Sequence, residues 1–482
     1  MTNPKTFNIA IGCIGVFGAS VLAIMGSFII ASLVLALTLS LPPLVRAGVS
    51  TALAGSAIVF YASSGYILAY APGLSGLSLP VLLLVVMGGL HGAMLIFKHR
   101  ISFSAPAIFA ILFVFISLMA FVASLGSGSY FAARAGLSLI FPLAAACAVV
   151  GVVASAPSVY ERTLRRNTIA LVTIFSILIN SIAAVRQAIG GFTAGEQRLV
   201  DASESTYLVG QEIRSMGLMQ TNQDFSLLSS CLVAGFLLAG LYATGRLRLL
   251  LWLVATTLGF AGLLGLNRTA LIASIFTILF SLTFWGKGKI IPRIIKYTIT
   301  GALVVFLGGS LLFRLEDDRI AAAASRALTL TSLSPDKSFN ERIGSVYPRA
   351  IDSIINHPLG LGAGAAGPIS QVYPELAPMG SFQTDNGYLM IGVQLGIFGL
   401  IFFALFLVAT ALWLVQVRSV FTVGAATTLV ALMVAMMSGQ YWALTAPMAL
   451  LASWVGLGIS ERLAPAKSDV PQRVSSSHSG YI

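Results

Sequence analysis

Between Lys5 and Arg46 the chain runs for forty residues without a charged side chain. As helix this stretch measures about 60 Å, roughly twice the thickness of a bilayer core. Such a segment is at home only in lipid and must double back, with Met25, Gly26 and Ser27 offering the turn. A cleaved signal peptide is the rival reading of this N-terminus. The basic region ahead of the run is weak and the apolar stretch continues far past any cleavage site, so the segment is read as an anchor.

The rest of the chain repeats the pattern. With 57% hydrophobic and 9% charged residues and a mean hydropathy of +0.94, the sequence describes a polytopic membrane protein. Apolar runs fall at 8–24, 27–44, 49–70, 79–97, 104–123, 135–154, 167–185, 226–244, 249–266, 270–285, 295–313, 386–415, 421–438 and 443–459. The expected fold is all-α, with about 14 (12–14) transmembrane helices in a single domain over 1–463.

Charge tests that count, because cytoplasmic loops collect Lys and Arg. With both termini inside, the inner segments hold seventeen basic residues against three acidic ones, +14, and the outer segments eleven against thirteen, −2. The basic pI therefore reports topology, and no nucleic-acid partner is expected. Trp252, Trp285 and Trp413 fall near inner span ends, as interfacial anchors do. Two outer segments are long enough to carry function, 186–225 and 314–385, while the Ser- and Pro-rich tail 464–482 reads as a disordered cytoplasmic end.

Little else suggests soluble chemistry. Cys13, Cys147 and Cys231 lie in apolar runs, and His91, His99, His357 and His478 lack metal-ligand spacing. Glu316, Asp317 and Asp318 form an acidic triplet at the start of the long loop, read as solvated. No Walker loop, dinucleotide fingerprint or nucleophile elbow is present. No metal and no cofactor is expected.

The outer cations are ten arginines and one lysine, Lys337. Arginine presents a planar fork that grips phosphate in two places. Arg268, in "LNRTAL", and Arg186, closing the seventh span, stand against the positive-inside bias at one depth. Snorkelling to headgroups explains either alone, whereas the two together suggest a site for an anionic headgroup.

The long loop has internal order. Ser338 and Glu341 have capping-box spacing, and Ile343, Val346, Ala350 and Ile354 recur at helical intervals, with Pro348 expected to kink or split the helix. Then comes "NHPLGLGAGAAG", in which His357 and Pro358 precede Gly360, Gly362, Gly364 and Gly367. Asp385 and Asn386 open the twelfth span, and Asp385 suits a helix N-cap.

Taken together, "GLNRTALIA", "NHPLGLGAG" and "TDNGYLMIGVQLGIFG" resemble the superfamily of O-antigen ligases and O-antigen or exopolysaccharide polymerases, over roughly residues 180–415. Ligases of that group carry His, a small polar residue, nine residues, Gly, two residues and Gly at the start of a late span. Here Asp385, Asn386, Gly396 and Gly399 keep the spacing, with Asp in place of His. That replacement moves the reading toward a polymerase.

The resemblance implies a GT-C-like fold with short helices in the periplasmic loop between spans 11 and 12. It further implies metal-independent inverting glycosyl transfer at the periplasmic face of a bacterial inner membrane, with undecaprenyl-pyrophosphate-linked glycans as substrates. Catalytic roles fall to Asp385, which orients or deprotonates the acceptor hydroxyl, and to Arg268 and Arg186, which hold the donor pyrophosphate. Asn386, Arg342, His357, Tyr388 and Tyr373 are expected to contact substrate, with Phe382 a further stacking candidate. The expected partners are the lipid-linked glycans, membrane lipid and a chain-length regulator. Two other readings compete: a ligase passing the glycan to another acceptor, and a lipid-linked oligosaccharide flippase. Spans nearly free of charge and halves without a repeat speak against the transporter.

Overall fold

The computed structural model describes residues 48–70, 78–98, 104–201, 208–209, 212–213, 215–264, 268–285 and 341–463. Among them, eleven of the apolar runs coincide with helix. The runs at 8–24, 27–44 and 295–313, Cys13, the acidic triplet at 316–318, Ser338 and the tail lie outside the described residues.

In chain order the helices are α1 (Val49–Ala62), α2 (Ser64–Tyr70), α3 (Ser78–Lys98), α4 (Ala105–Ser124), α5 (Ser129–Ala154), α6 (Val159–Gly190) and α7 (Ala194–Asp201). A two-residue hairpin, Leu208–Val209 against Glu212–Ile213, precedes α8 (Asn222–Tyr242), α9 (Gly245–Leu264) and α10 (Arg268–Trp285). After a π-helical turn at Arg342–Val346 come α11 (Tyr347–Asn356), α12 (Pro368–Val372), α13 (Gly387–Val415), α14 (Val420–Ala435) and α15 (Thr445–Arg462).

Among the described residues five helices are long and apolar enough to cross a membrane, or six if α1 and α2, bent by 66°, form one span. The bend is local: Ser63 ends α1, and its hydroxyl donates to the Val59 carbonyl at 2.7 Å. The helix α8 is buried along nearly its whole length, among α9, α10 and α14. Small residues let the backbones approach, as van der Waals packing between lipid-dissolved helices requires. Thus Gly89 and Gly92 of α3 lie against Ala144 and the Cys147 carbonyl of α5. Pro348 does not split its helix: Val346 and Tyr347 keep right-handed helical dihedrals, and the π-helical turn runs directly into α11, with Pro348 in its first turn.

One helix is interrupted. In α13 the backbone leaves helical geometry at Gly396, with φ 72° and ψ −174°. The glycine-rich segment after α11 is seated in that break. Leu361 N–H donates to the Val393 carbonyl at 2.9 Å, Gly362 N–H to the Gln394 carbonyl at 3.1 Å, and Ile397 N–H to the Pro358 carbonyl at 3.1 Å. Backbone groups freed by a broken helix need partners when water is scarce, and the inserted loop provides them. The buried Gln394 side chain completes the join, accepting from Gly364 N–H and donating to the Ala366 carbonyl, both at 2.9 Å. On its other side the loop is tied to α4, where Ser124 Oγ donates to the Ala363 carbonyl at 2.9 Å.

Candidate active site

The interlocked loop meets α13 at the Gly396 break. From it the chain passes through α12 and returns along residues 381–384, held by Gly367 N–H donating to the Phe382 carbonyl at 2.9 Å and by Ser370 Oγ bonding the Phe382 main chain. The return leads into Asp385 and Asn386.

Asn386, and not Asp385, caps α13. Its side-chain oxygen accepts from Tyr388 N–H at 2.9 Å and Leu389 N–H at 3.1 Å, while its amide donates to the Met437 carbonyl at 3.1 Å. The expectation of an Asp385 cap is thereby corrected, because the extended backbone that a cap residue needs belongs to Asn386. Asp385 has a left-handed backbone, φ 48°, one of two non-glycine residues with positive φ among the described residues. Asp tolerates that region better than most side chains. Released from capping, its carboxylate accepts from Arg342 Nε at 3.0 Å across 43 positions of sequence.

Arg342 opens the π-helical turn, a feature found often at functional sites. The helix α11 that follows packs Ala350, Ser353 and Ile354 inward, with Ile354 against Gly392 of α13. The ion pair thus closes between two elements that already pack together. At the far end of α11, His357 is exposed, and its main chain makes the turn into the loop, accepting from Gly360 N–H at 2.8 Å.

Tyr373 and Tyr388 face different surroundings. Tyr373 is partly exposed beside the first turns of α5, where Arg134 Nη1 donates to its hydroxyl at 2.8 Å and the guanidinium lies 5.6 Å from its ring centre. A short link joins it to the carboxylate: Gln371, two residues earlier, bonds Gln383, two residues before Asp385. Tyr388 turns into the bundle, its hydroxyl donating to the Met433 carbonyl of α14 at 2.9 Å. Phe382 is buried under Arg349, whose guanidinium lies 4.7 Å from the ring centre.

Arg186 occupies a different cluster, built by α6, α7 and α2. Its guanidinium pairs with fully buried Glu196, and donates to Tyr66 Oη at 3.0 Å and the Gly191 carbonyl at 2.9 Å. Burial opposes the Glu196 charge, yet bonds from Arg186, Tyr66, Gln187 and Thr193 outweigh it and hold the carboxyl below the usual range. Arg268 is the first residue of α10; its side chain lies outside the described residues.

The structure therefore joins Asp385 to Arg342 beside Asn386 and links Tyr373 to them through Gln371 and Gln383, while His357 lies at the other end of α11, next to the break at Gly396, and Arg186 sits among polar residues of its own. Arg134, Arg349, Glu196 and Gln394 were not anticipated. Only Gln394 left a signal, as a lone amide inside an apolar run.

What these features define is a helical protein with the spans of a membrane protein, an interlocked helix break, and a carboxylate–guanidinium pair at the start of a long apolar helix. Residues 249–404 match the family model described as O-antigen ligase, and this match supports the O-antigen ligase-like superfamily for the chain. The matched stretch runs from α9 into α13, about a third of the chain. It holds Arg268, Arg342, His357, Tyr373, Asp385, Asn386 and Tyr388, and leaves out Arg134, Arg186 and Glu196. No curated protein matches the chain.

Proposed function

We propose that this protein is a polysaccharide polymerase that joins undecaprenyl-pyrophosphate-linked repeat units on the periplasmic face of a bacterial inner membrane. The observation that carries the reading is Asp385: it lies in the matched segment, is relieved of the capping role by Asn386, and is aimed by Arg342. In this reading the acceptor hydroxyl donates a hydrogen bond to the Asp385 carboxylate. Its oxygen forms the new bond to the anomeric carbon from the face opposite the carrier, and the bond to the pyrophosphate oxygen breaks with inversion. The proton passes to Asp385 and then to solvent. Diphosphate is a good leaving group, so orienting the hydroxyl is the larger part of the task.

Arg268 holds the leaving diphosphate and offsets its charge, a preorganised electrostatic role. Arg186 takes the smaller share of that role, because Glu196 already engages its guanidinium. Asn386 caps α13 directly after Asp385. Tyr373 with Arg134, and the exposed His357, offer surface for sugars.

The test is Asp385→Asn and Arg268→Ala in cells, read as the length of surface polysaccharide. Single-repeat glycan in both variants is expected, and full-length chains in either remove that residue from the mechanism. A second reading, a ligase that moves the glycan to a different acceptor, is favoured by the description of the matching family. Deletion separates the two: loss of a polymerase leaves one repeat at the surface, whereas loss of a ligase strands polymer on the lipid carrier.

A further inference from the structure

The end of α14 and the turn that follows it lie beyond the matched segment, yet they hold the residues around Asp385 through four contacts. Gly387 N–H donates to the Met436 carbonyl at 2.7 Å, Asn386 donates to the Met437 carbonyl, and Tyr388 to the Met433 carbonyl. The fourth contact is Gln440, only 8% exposed. Its carboxamide meets donors in just one orientation, with the oxygen facing the chain, and there it accepts from both Thr384 N–H and Asp385 N–H at 3.2 Å. The turn is itself anchored: Trp442 Nε1 donates to the Leu139 carbonyl of α5 at 2.8 Å, and Tyr441 Oη lies 3.4 Å from Ser226 Oγ of α8.

We infer that Gln440 is the positioning residue for Asp385. The two amides flank the Cα of Thr384, so one acceptor shared by both fixes the peptide plane from which Asp385 departs, directly ahead of its left-handed φ of 48°. Without that acceptor the N–H groups of buried Thr384 and of Asp385 lose their partner, and the left-handed backbone loses its support. The chain then relaxes toward ordinary φ, the carboxylate swings away from Arg342, and the acceptor hydroxyl loses its guide. Gln440 touches no reacting atom in this account and acts only through Asp385. The inference rests on the proposed role of Asp385.

The test uses full-length protein in detergent or vesicles with lipid-linked repeat units. Gln440→Met keeps the volume and withdraws the acceptor, while Gln440→Glu keeps an acceptor oxygen. The expected result is a fall in transfer rate of about 10- to 100-fold for Gln440→Met, the scale on which misplacing a catalytic group acts, with most activity retained in Gln440→Glu. In an Asp385→Asn background, Gln440→Met should cost almost nothing further, since removing either member disables one unit. Equal losses in Met and Glu variants, or a full additional loss on top of Asp385→Asn, overturn the inference. An Asp385→Asn protein with wild-type activity overturns instead the role given to Asp385. If Gln440→Met does not accumulate in membranes, Gln440→Asn, which keeps the amide but retracts it by one methylene, is measured against Gln440→Glu with the same two outcomes.

Discussion

Arg342 Nε lies 3.0 Å from Asp385 Oδ2, an ion pair that closes the π-helical turn against the start of α13. The two side chains are 34% and 31% exposed, so solvent screens the pair and its contribution to stability is at most about 1 kcal/mol. Its value is geometric: Arg342 fixes the direction of a carboxylate whose backbone is already constrained.

That separation of roles gives the first prediction. Asp385→Asn keeps a side chain that tolerates the left-handed region and should leave the thermal midpoint in detergent nearly unchanged. Transfer should fall by about 100-fold or more, the range expected when a group that handles the acceptor proton is lost. Asp385→Gly is the sharper variant, because it relieves the strain at φ 48° and should be at least as stable as the parent while equally inactive. A Gly variant that turns over normally would leave Asp385 as a turn residue only.

The helix break supports a second prediction. A Cβ at Gly396 would land on the Pro358 carbonyl, in a backbone with φ 72°. Gly396→Ala should cost about 1–2 kcal/mol for the left-handed residue and about 1–3 kcal/mol more for the overlap. Gln394→Leu, which strips partners from the Gly364 N–H and the Ala366 carbonyl, should be similarly harmful. Gly344, in the π-helical turn, has open space around an added Cβ, and Gly344→Ala should be neutral. Thermal unfolding in detergent orders the three.

These cases mark what the sequence discloses and what it conceals. Apolar runs locate helices, since lipid admits little else, and the described runs are helical. The loop glycines stood out, but "GIFG" registered only as spacing, because nothing local says that Gly396 must leave helical geometry to receive Pro358 and Gly360 from the preceding loop. The cap moved by one residue for a similar reason: Asp385 and Asn386 both suit a cap, and the choice is made by the Met437 carbonyl and by Gln440, which come from the far end of the chain. Arg186 read as a free cation because its partner Glu196 is ten residues on, across a turn whose path the sequence does not fix.

Tyr373 and Arg134 carry the third prediction. The Tyr130 ring, 66% exposed, stands edge-on to Tyr373 at 6.2 Å, so an aromatic surface with a guanidinium at its edge borders the site. The apolar C–H face of a sugar ring packs on such a surface, and the guanidinium reaches its hydroxyls. Tyr373→Ala and Arg134→Ala should raise the acceptor KM several-fold and leave kcat close to the parent value, since the contact is made equally in ground and transition states. Tyr373→Phe, which keeps the ring, should lie in between. A fall in kcat with KM unchanged would place this pair in the chemical step instead.

The Arg186–Glu196 pair yields a pH dependence whose sign is fixed. The folded carboxyl is held below the ordinary value near 4.3. Its contribution to stability is therefore complete above that value and is lost as pH falls through the lower folded value. The thermal midpoint should drop below about pH 4 in the parent protein, and this part of the drop should be missing from Glu196→Gln. At neutral pH the variant leaves a largely buried guanidinium without its counter-charge, at a cost toward the lower end of about 3–5 kcal/mol, since the Arg186 side chain keeps 22% exposure. The same substitution tests the donor site. If Glu196 competes with the diphosphate for Arg186, Glu196→Gln should lower the donor KM even as stability falls, a combination that simple loosening of the fold does not produce. An unchanged donor KM takes Arg186 out of diphosphate binding and leaves it as the buried tie between α6 and α7.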